Sequence, residues 1–215
     1  MKYPNASKGM HKIVIAEIIA LAASILGVMV SVYALPGIDA SDPEHIGTTT
    51  IVMLMTTVVM YIAASILEIF GILSASKDEP AFKVSLYAIT ASIILLVLYA
   101  FFYQNETISL IISIAGDVAE FFLAHYIIHG IMHLADHLGR PEIAKKGKRI
   151  FRVIYIGIIF EVIVRIIEII YGKERGEELA MPFDLVANIL QSVEYIMFLI
   201  YIVKGHKMLK ESKAE

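Results

Sequence analysis

Six apolar stretches divide this 215-residue chain, near residues 12–35, 48–74, 82–104, 107–133, 150–172 and 182–204. Each is about 20 residues or longer, which is the length an α-helix needs to cross a hydrocarbon core of roughly 30 Å. The composition agrees. With 58% hydrophobic and 18% charged residues and a mean hydropathy of +0.75, the chain carries more apolar surface than a soluble core of its size hides. The expectation is an all-α, polytopic integral membrane bundle of six transmembrane helices.

The ends of the stretches carry helix punctuation. Pro36 and Gly37 stop the first, Pro80 opens the third and Pro182 opens the sixth, while Gly139 and Pro141 close an extension of the fourth. The links are short, so successive helices are expected as three sequential antiparallel hairpins within one six-helix domain over residues 1–215. Segments 59–71, 118–130 and 193–205 share spacing and an aliphatic frame, a weak internal repeat in keeping with three related hairpins. No cleavage site of small residues follows the first apolar run, which reads as a retained span and not a signal peptide.

Charge orients the bundle. Lys2, Lys8 and Lys12 precede the first span, Lys77 and Lys83 join the second to the third, and Arg140, Lys145, Lys146, Lys148, Arg149 and Arg152 join the fourth to the fifth. The tail adds Lys204, Lys207, Lys210 and Lys213, whereas the alternate links are acidic, with Asp39, Asp42, Glu44 and Glu106. Cytoplasmic termini in a plasma membrane follow. The basic segment 145–152 also suits anionic headgroups. A net charge of −3 with sequestered basic residues argues against nucleic-acid binding, and the lack of cysteine excludes disulfides and thiolate ligands.

Two constellations bear chemistry. Asp117 and Glu120 in the fourth span, Glu161 and Arg165 in the fifth and Glu194 in the sixth all fall near mid-depth, with Asn188 and Gln191 close by. A charge there costs about 2.5–3.5 kcal/mol on insertion scales, so such residues face the bundle interior and commonly serve a function. Ser113, Asp117 and Glu120 share one helix stripe, and Glu161, Arg165 and Glu168 are spaced for an intrahelical pair. The functional reading is an ion or proton pathway through a cation transporter or channel. The structural reading is interhelical glue, with Arg165 neutralising one or two acids.

The second constellation is His125, His129, His133 and Asp136, which span about 80° of one helix face. Imidazoles at i and i+4 can hold a divalent metal such as Zn²⁺, with Glu68 or His206 to complete the shell. That would make the chain a membrane metalloprotein or an inner-leaflet hydrolase. The HxxxH spacing lacks the Glu of a zincin, and haem ligation lacks a second histidine inside a span. Interfacial histidines also serve simply as headgroup contacts. A structural or stress-response protein without turnover is the third alternative. Expected partners are the bilayer, the transported cation or proton, and a second copy of the chain.

Other features have plain explanations. Thr48, Thr49, Thr50, Thr56 and Thr57, with Met53, Met55 and Met60, could line a polar path, but threonine hydroxyls commonly bond their own i−4 carbonyls and then need no partner. The sequon at Asn5 falls on the cytoplasmic side and the one at Asn105 lies too close to the bilayer, so neither is expected to be used. The third helix has no charge between Val84 and Gln104 and is expected to face lipid.

Overall fold

The computed structural model describes the backbone of residues 2–34, 48–171 and 173–212, with side chains of residues 33, 34, 106, 168, 169, 173–178, 180 and 184 excepted. Pro36, Gly37, Asp39, Asp42, Glu44 and Lys213 lie outside the described residues. Among the described residues all regular structure is helical: α1 (Pro4–Met29) running into a π turn at Val30–Ala34, α2 (Thr48–Ala75), α3 (Ala81–Phe102), α4 (Glu106–His137), α5 (Pro141–Tyr171) and α6 (Lys173–Glu211). Five segments are long and apolar enough to cross a membrane: Pro4–Val32, Thr48–Ala75, Ala81–Phe102, Thr107–His137 and Met181–Glu211. The chain is a multi-pass integral membrane protein. Helix α5 is not among the five; its apolar half, residues 153–170, carries Glu161, Arg165 and Glu168.

Three helix starts differ from expectation. Helix α1 begins at Pro4 and not near residue 12, because its polar first turns are capped from a distance. Proline fits a first helical position without losing a bond, and the Asp78 carboxylate accepts hydrogen bonds from Asn5 N at 2.7 Å and Ala6 N at 2.8 Å. Those amides have no intrahelical partner, and an anion there also meets the positive end of the helix dipole. Helix α5 begins at Pro141 and not near 150, as an amphipathic lead-in that buries Ala144, Gly147 and Ile150 and exposes Lys145, Lys146, Lys148 and Arg149. Pro182 does not open the sixth helix but stands inside α6, ten residues from its start at Lys173 on inclusive counting. A proline inside a helix costs one backbone bond, and α6 continues through it.

Residues 2–78 form one compact unit. Within it α1 and α2 run antiparallel, with Asn5 against Asp78 at one end and Ser24 Oγ 2.8 Å from the Tyr61 hydroxyl further along. The two helices approach closely at Gly9 and Gly71. A Cβ on Gly9 would meet the Gly71 carbonyl oxygen and the backbone and Cβ of Ala75. Small residues let helices meet in lipid, where no hydrophobic force drives them together.

Residues 79–215 form a second unit, in which α3 packs along α4, α5 along α6, and α4 touches both α5 and α6. At one end its core is fully buried: Phe82, Ile127, Ile128, Ile131, Leu134 and Ile202 have no exposure. Further along, α3 to α6 present Leu96, Phe101, Ile111, Ile159, Ile170 and Leu185 outward, each more than half exposed. In water these would be liabilities, but against acyl chains they are ordinary surface. Helices α4 and α5 join by a tight turn: Gly139 adopts φ +66°, its N–H donates to Asp136 O, and Arg140 N donates to Ala135 O at 2.8 Å. This is the glycine-dependent C-cap that Gly139 and Pro141 announce in the sequence.

Gly9→Ala should lower stability by about 1–3 kcal/mol, because the backbone contact leaves no room to adjust. Gly27→Ala meets only Thr57 Cγ2 at 3.8 Å and should be neutral or stabilising by up to about 1 kcal/mol through helix propensity. Melting of the purified protein in detergent checks the pair, and equal shifts would refute the close-contact account.

Candidate functional site

The acids foreseen at mid-depth gather between α4, α5 and α6. Two adjoining compartments of about 190 and 220 Å³ share Asp117, Glu161 and Gln191. The smaller adds Arg165 and Asn188. The larger adds Glu120 and Glu194, with Phe121, Tyr195, Phe198 and Ile154 as apolar wall. All five candidate pathway residues, Asp117, Glu120, Glu161, Arg165 and Glu194, thus line one cleft.

Arg165 Nη2 lies 3.4 Å from Asp117 Oδ2, so the guanidinium ties α5 to α4. That distance is long for a charge-assisted hydrogen bond, and both side chains are more than a third exposed, 38% and 49%. The tether is therefore weak. Of the intrahelical arrangement expected on α5, the Glu168 side chain lies outside the described residues. Glu194 is held differently. Its Oε1 is buried with no hydrogen-bond partner among the described residues, and the α5 backbone approaches it at Gly157, where a Cβ would run into the carboxylate. A buried acceptor without a donor is costly and calls for an explanation. Four carboxylates and one guanidinium leave the cleft with an excess of acid.

The histidines of α4 are spread along the helix and engage different neighbours. His125 stacks on Phe151 of α5 with ring centroids 4.4 Å apart and on His129 at 6.4 Å. His133 Nδ1 lies 2.5 Å from Glu79 Oε2, and its ring packs on His137 at 4.1 Å. His125, His129, His133 and Asp136 are not drawn into one ligand set: among the described residues no three such side chains are grouped to hold a metal ion. Two imidazoles on one face supply only part of a tetrahedral shell, so closing it needs further ligands from a neighbouring helix.

Sequence reasoning passed over Glu79. It lies in the α2–α3 link, is only 5% exposed, and its other oxygen accepts from Ala81 N at 3.1 Å, capping α3. The Asp-Glu-Pro run before α3 was the available signal, since acids just ahead of a helix-opening proline mark an N-terminus. Glu17, buried within α1 at 9% exposure, was likewise missed, although it is the first acidic residue of the chain and lies inside the first apolar stretch. Of the threonines on α2, Thr56 and Thr57 donate to Val52 O and Met53 O at 2.7 and 2.9 Å, as expected.

No protein-family model matches the chain, and no curated protein or solved structure matches it either.

Glu79→Ala removes both the cap and the His133 pairing and should cost about 2 kcal/mol. Glu79→Gln keeps a carbonyl for the Ala81 amide and should cost less. Melting temperatures rank the two, and an Ala variant as stable as wild type would show that the pairing contributes nothing.

Proposed function

We propose that this protein moves a cation or protons across the membrane through the cleft between α4, α5 and α6. The observation that carries this reading is the acid excess there. Asp117, Glu120, Glu161 and Glu194 come from three different helices, and Arg165 Nη2 lies 3.4 Å from Asp117 Oδ2. Carboxylates used only as interhelical glue need as many cations as acids, or must be neutral. An unbalanced set suits a site whose counter-charge arrives and leaves.

The same cleft supports α5 as a sixth span. Glu161 and Arg165 line it, so two of the charges that set α5 apart in apolarity are directed toward the polar interior and not toward lipid. Six spans in three antiparallel hairpins put the basic segments 2–12, 77–83, 140–152 and 204–213 on one side, which the positive-inside rule makes cytoplasmic. The reading assigns the acids to transport and leaves the α4 histidines to packing and to the Glu79 contact.

Cysteines introduced singly at Lys146 and Glu44 should be labelled from opposite faces of intact cells by a membrane-impermeant maleimide; labelling of both from one face would overturn the six-span topology. In liposomes Glu120→Gln keeps size and hydrogen bonding while removing charge, and it should cut proton or cation flux at least about tenfold with a near wild-type melting temperature. Correctly inserted wild-type protein that passes neither protons nor Na⁺, K⁺ or divalent cations above empty liposomes would refute transport and leave the carboxylates as packing groups.

A further inference from the structure

We propose that the basic face of the α5 lead-in holds anionic phospholipid of the cytoplasmic leaflet, its Lys and Arg side chains binding the headgroup phosphates. This goes beyond the transport reading and rests only on the six-span placement of this end at the cytoplasmic surface.

Geometry separates this face from a mere run of charge. Lys145, Lys148, Arg149 and Arg152 are exposed, while Ala144, Gly147 and Ile150 are buried. At 3.6 residues per turn the four cations fall within about 100° on one side of the helix and the buried residues on the other. The buried side is locked: a Cβ on Gly147 would run into Met132 of α4 and the Tyr201 hydroxyl of α6. The cations are therefore held outward. From residue 145 to 152 the helix rises about 10 Å, enough to cross the headgroup layer of one leaflet, about 5–8 Å.

Depth favours lipid over a soluble acidic partner. Arg152 is the first charge beyond the uncharged residues 153–160, and Lys204 holds the same station on α6 beyond residues 195–203. Tyr155, exposed and one turn from Arg152, supplies the amphipathic ring suited to a headgroup boundary. A cation at the end of an apolar length reaches phosphate by extending along the helix, whereas a soluble protein meets the helix only beyond the headgroups.

Charge balance is the second, independent observation. Among the described residues, the ion pairs of lysine and arginine at this end are Arg140 and Lys207 with Glu211, at 3.9 and 3.8 Å. Lys145, Lys148, Arg149, Arg152 and Lys204 form none, and Glu142 is the one acid within residues 141–152. Like charges a turn apart repel until anions come between them, and a phosphate accepts two bonds at once from the planar fork of an arginine. Near the N-terminus, by contrast, Lys2 and Lys12 lie over the rings of Tyr3 and Phe70.

Full-length protein reconstituted in phosphatidylcholine bilayers, with a trace of spin-labelled phosphatidic acid or spin-labelled phosphatidylcholine, gives the relative association of the two lipids from their motionally restricted fractions. Wild type should prefer phosphatidic acid at least about fivefold at low salt. The preference should shrink as the Debye length falls to about 3 Å at 1 M NaCl. Lys148→Gln, Arg149→Gln and Arg152→Gln together should bring it below about twofold at a wild-type melting temperature, while Lys2→Gln, Lys8→Gln and Lys12→Gln together should leave it unchanged. An equal loss from the two triple variants, or a preference untouched by salt, would overturn the assignment. So would no preference in wild type, which leaves the face as an orientation signal, or binding of soluble polyglutamate without lipid preference, which makes it a protein dock. Should the first triple variant not insert, Arg149→Gln alone, expected to reduce the preference about twofold or more, and the salt series decide the matter. The labelled lipid occupies both leaflets and no flux is read, so lost preference overturns this site alone, and a failed topology or flux experiment with the preference intact overturns those readings and leaves the headgroup site.

Discussion

A hydrocarbon solvent offers nothing to a peptide N–H or C=O, and the rest of this structure depends on that constraint. Every apolar stretch satisfies its backbone internally as a helix. Hydroxyls obey the same rule. Thr56, Thr57, Thr90, Ser92 and Ser192 each donate to the carbonyl four residues back. At the helix ends side chains take over the free amides, as where Asp78 receives the first amides of α1 or the Asn105 side chain accepts from Ile108 N at 3.1 Å to start α4. The polar atoms that escape this bookkeeping are few among the described residues, and Glu194 Oε1 is one of them.

Packing within residues 79–215 is uneven in a way that gives the cleft its character. The described side chains without exposure in this unit lie around residues 82–85, 127–135 and 202, so one end of the unit is closed by a mostly aliphatic plug. The carboxylates sit beyond that plug, where α4, α5 and α6 leave space between them. Burying four acids in the closed end would have required a cation for each. In the open region they keep room for water or a ligand, and the plug beneath keeps the three helices in register.

Much of the scaffold was readable from residue order because span length and hydropathy are local properties. Helices α2, α3 and α4 begin within a residue of expectation, and the turn at Gly139 was visible in its glycine and proline. Starts set by tertiary contact were not visible: Pro4 becomes a helix start through Asp78, more than seventy residues away. The candidate site was legible as a set, since intramembrane acids are conspicuous in apolar sequence, but its internal geometry was not. That Arg165 reaches Asp117 on another helix was not foreseeable from spacing along α5, and the role of Gly157 depends on where α6 lies. The histidine face meets the same limit. Periodicity reports which residues share a side of one helix, whereas a metal shell depends on what stands opposite.

Pro182 has a consequence of its own. Lacking an N–H, it leaves the carbonyl of residue 178 without its usual donor, so the bond ladder of α6 has one missing rung just before the stretch that carries Asn188, Gln191 and Glu194. A rod weakened at a single rung flexes there first. The α6 residues that line the cleft, from Ala187 to Phe198, all lie C-terminal to Pro182, so the missing bond falls outside the length that bears the acids, and their backbone keeps its full ladder.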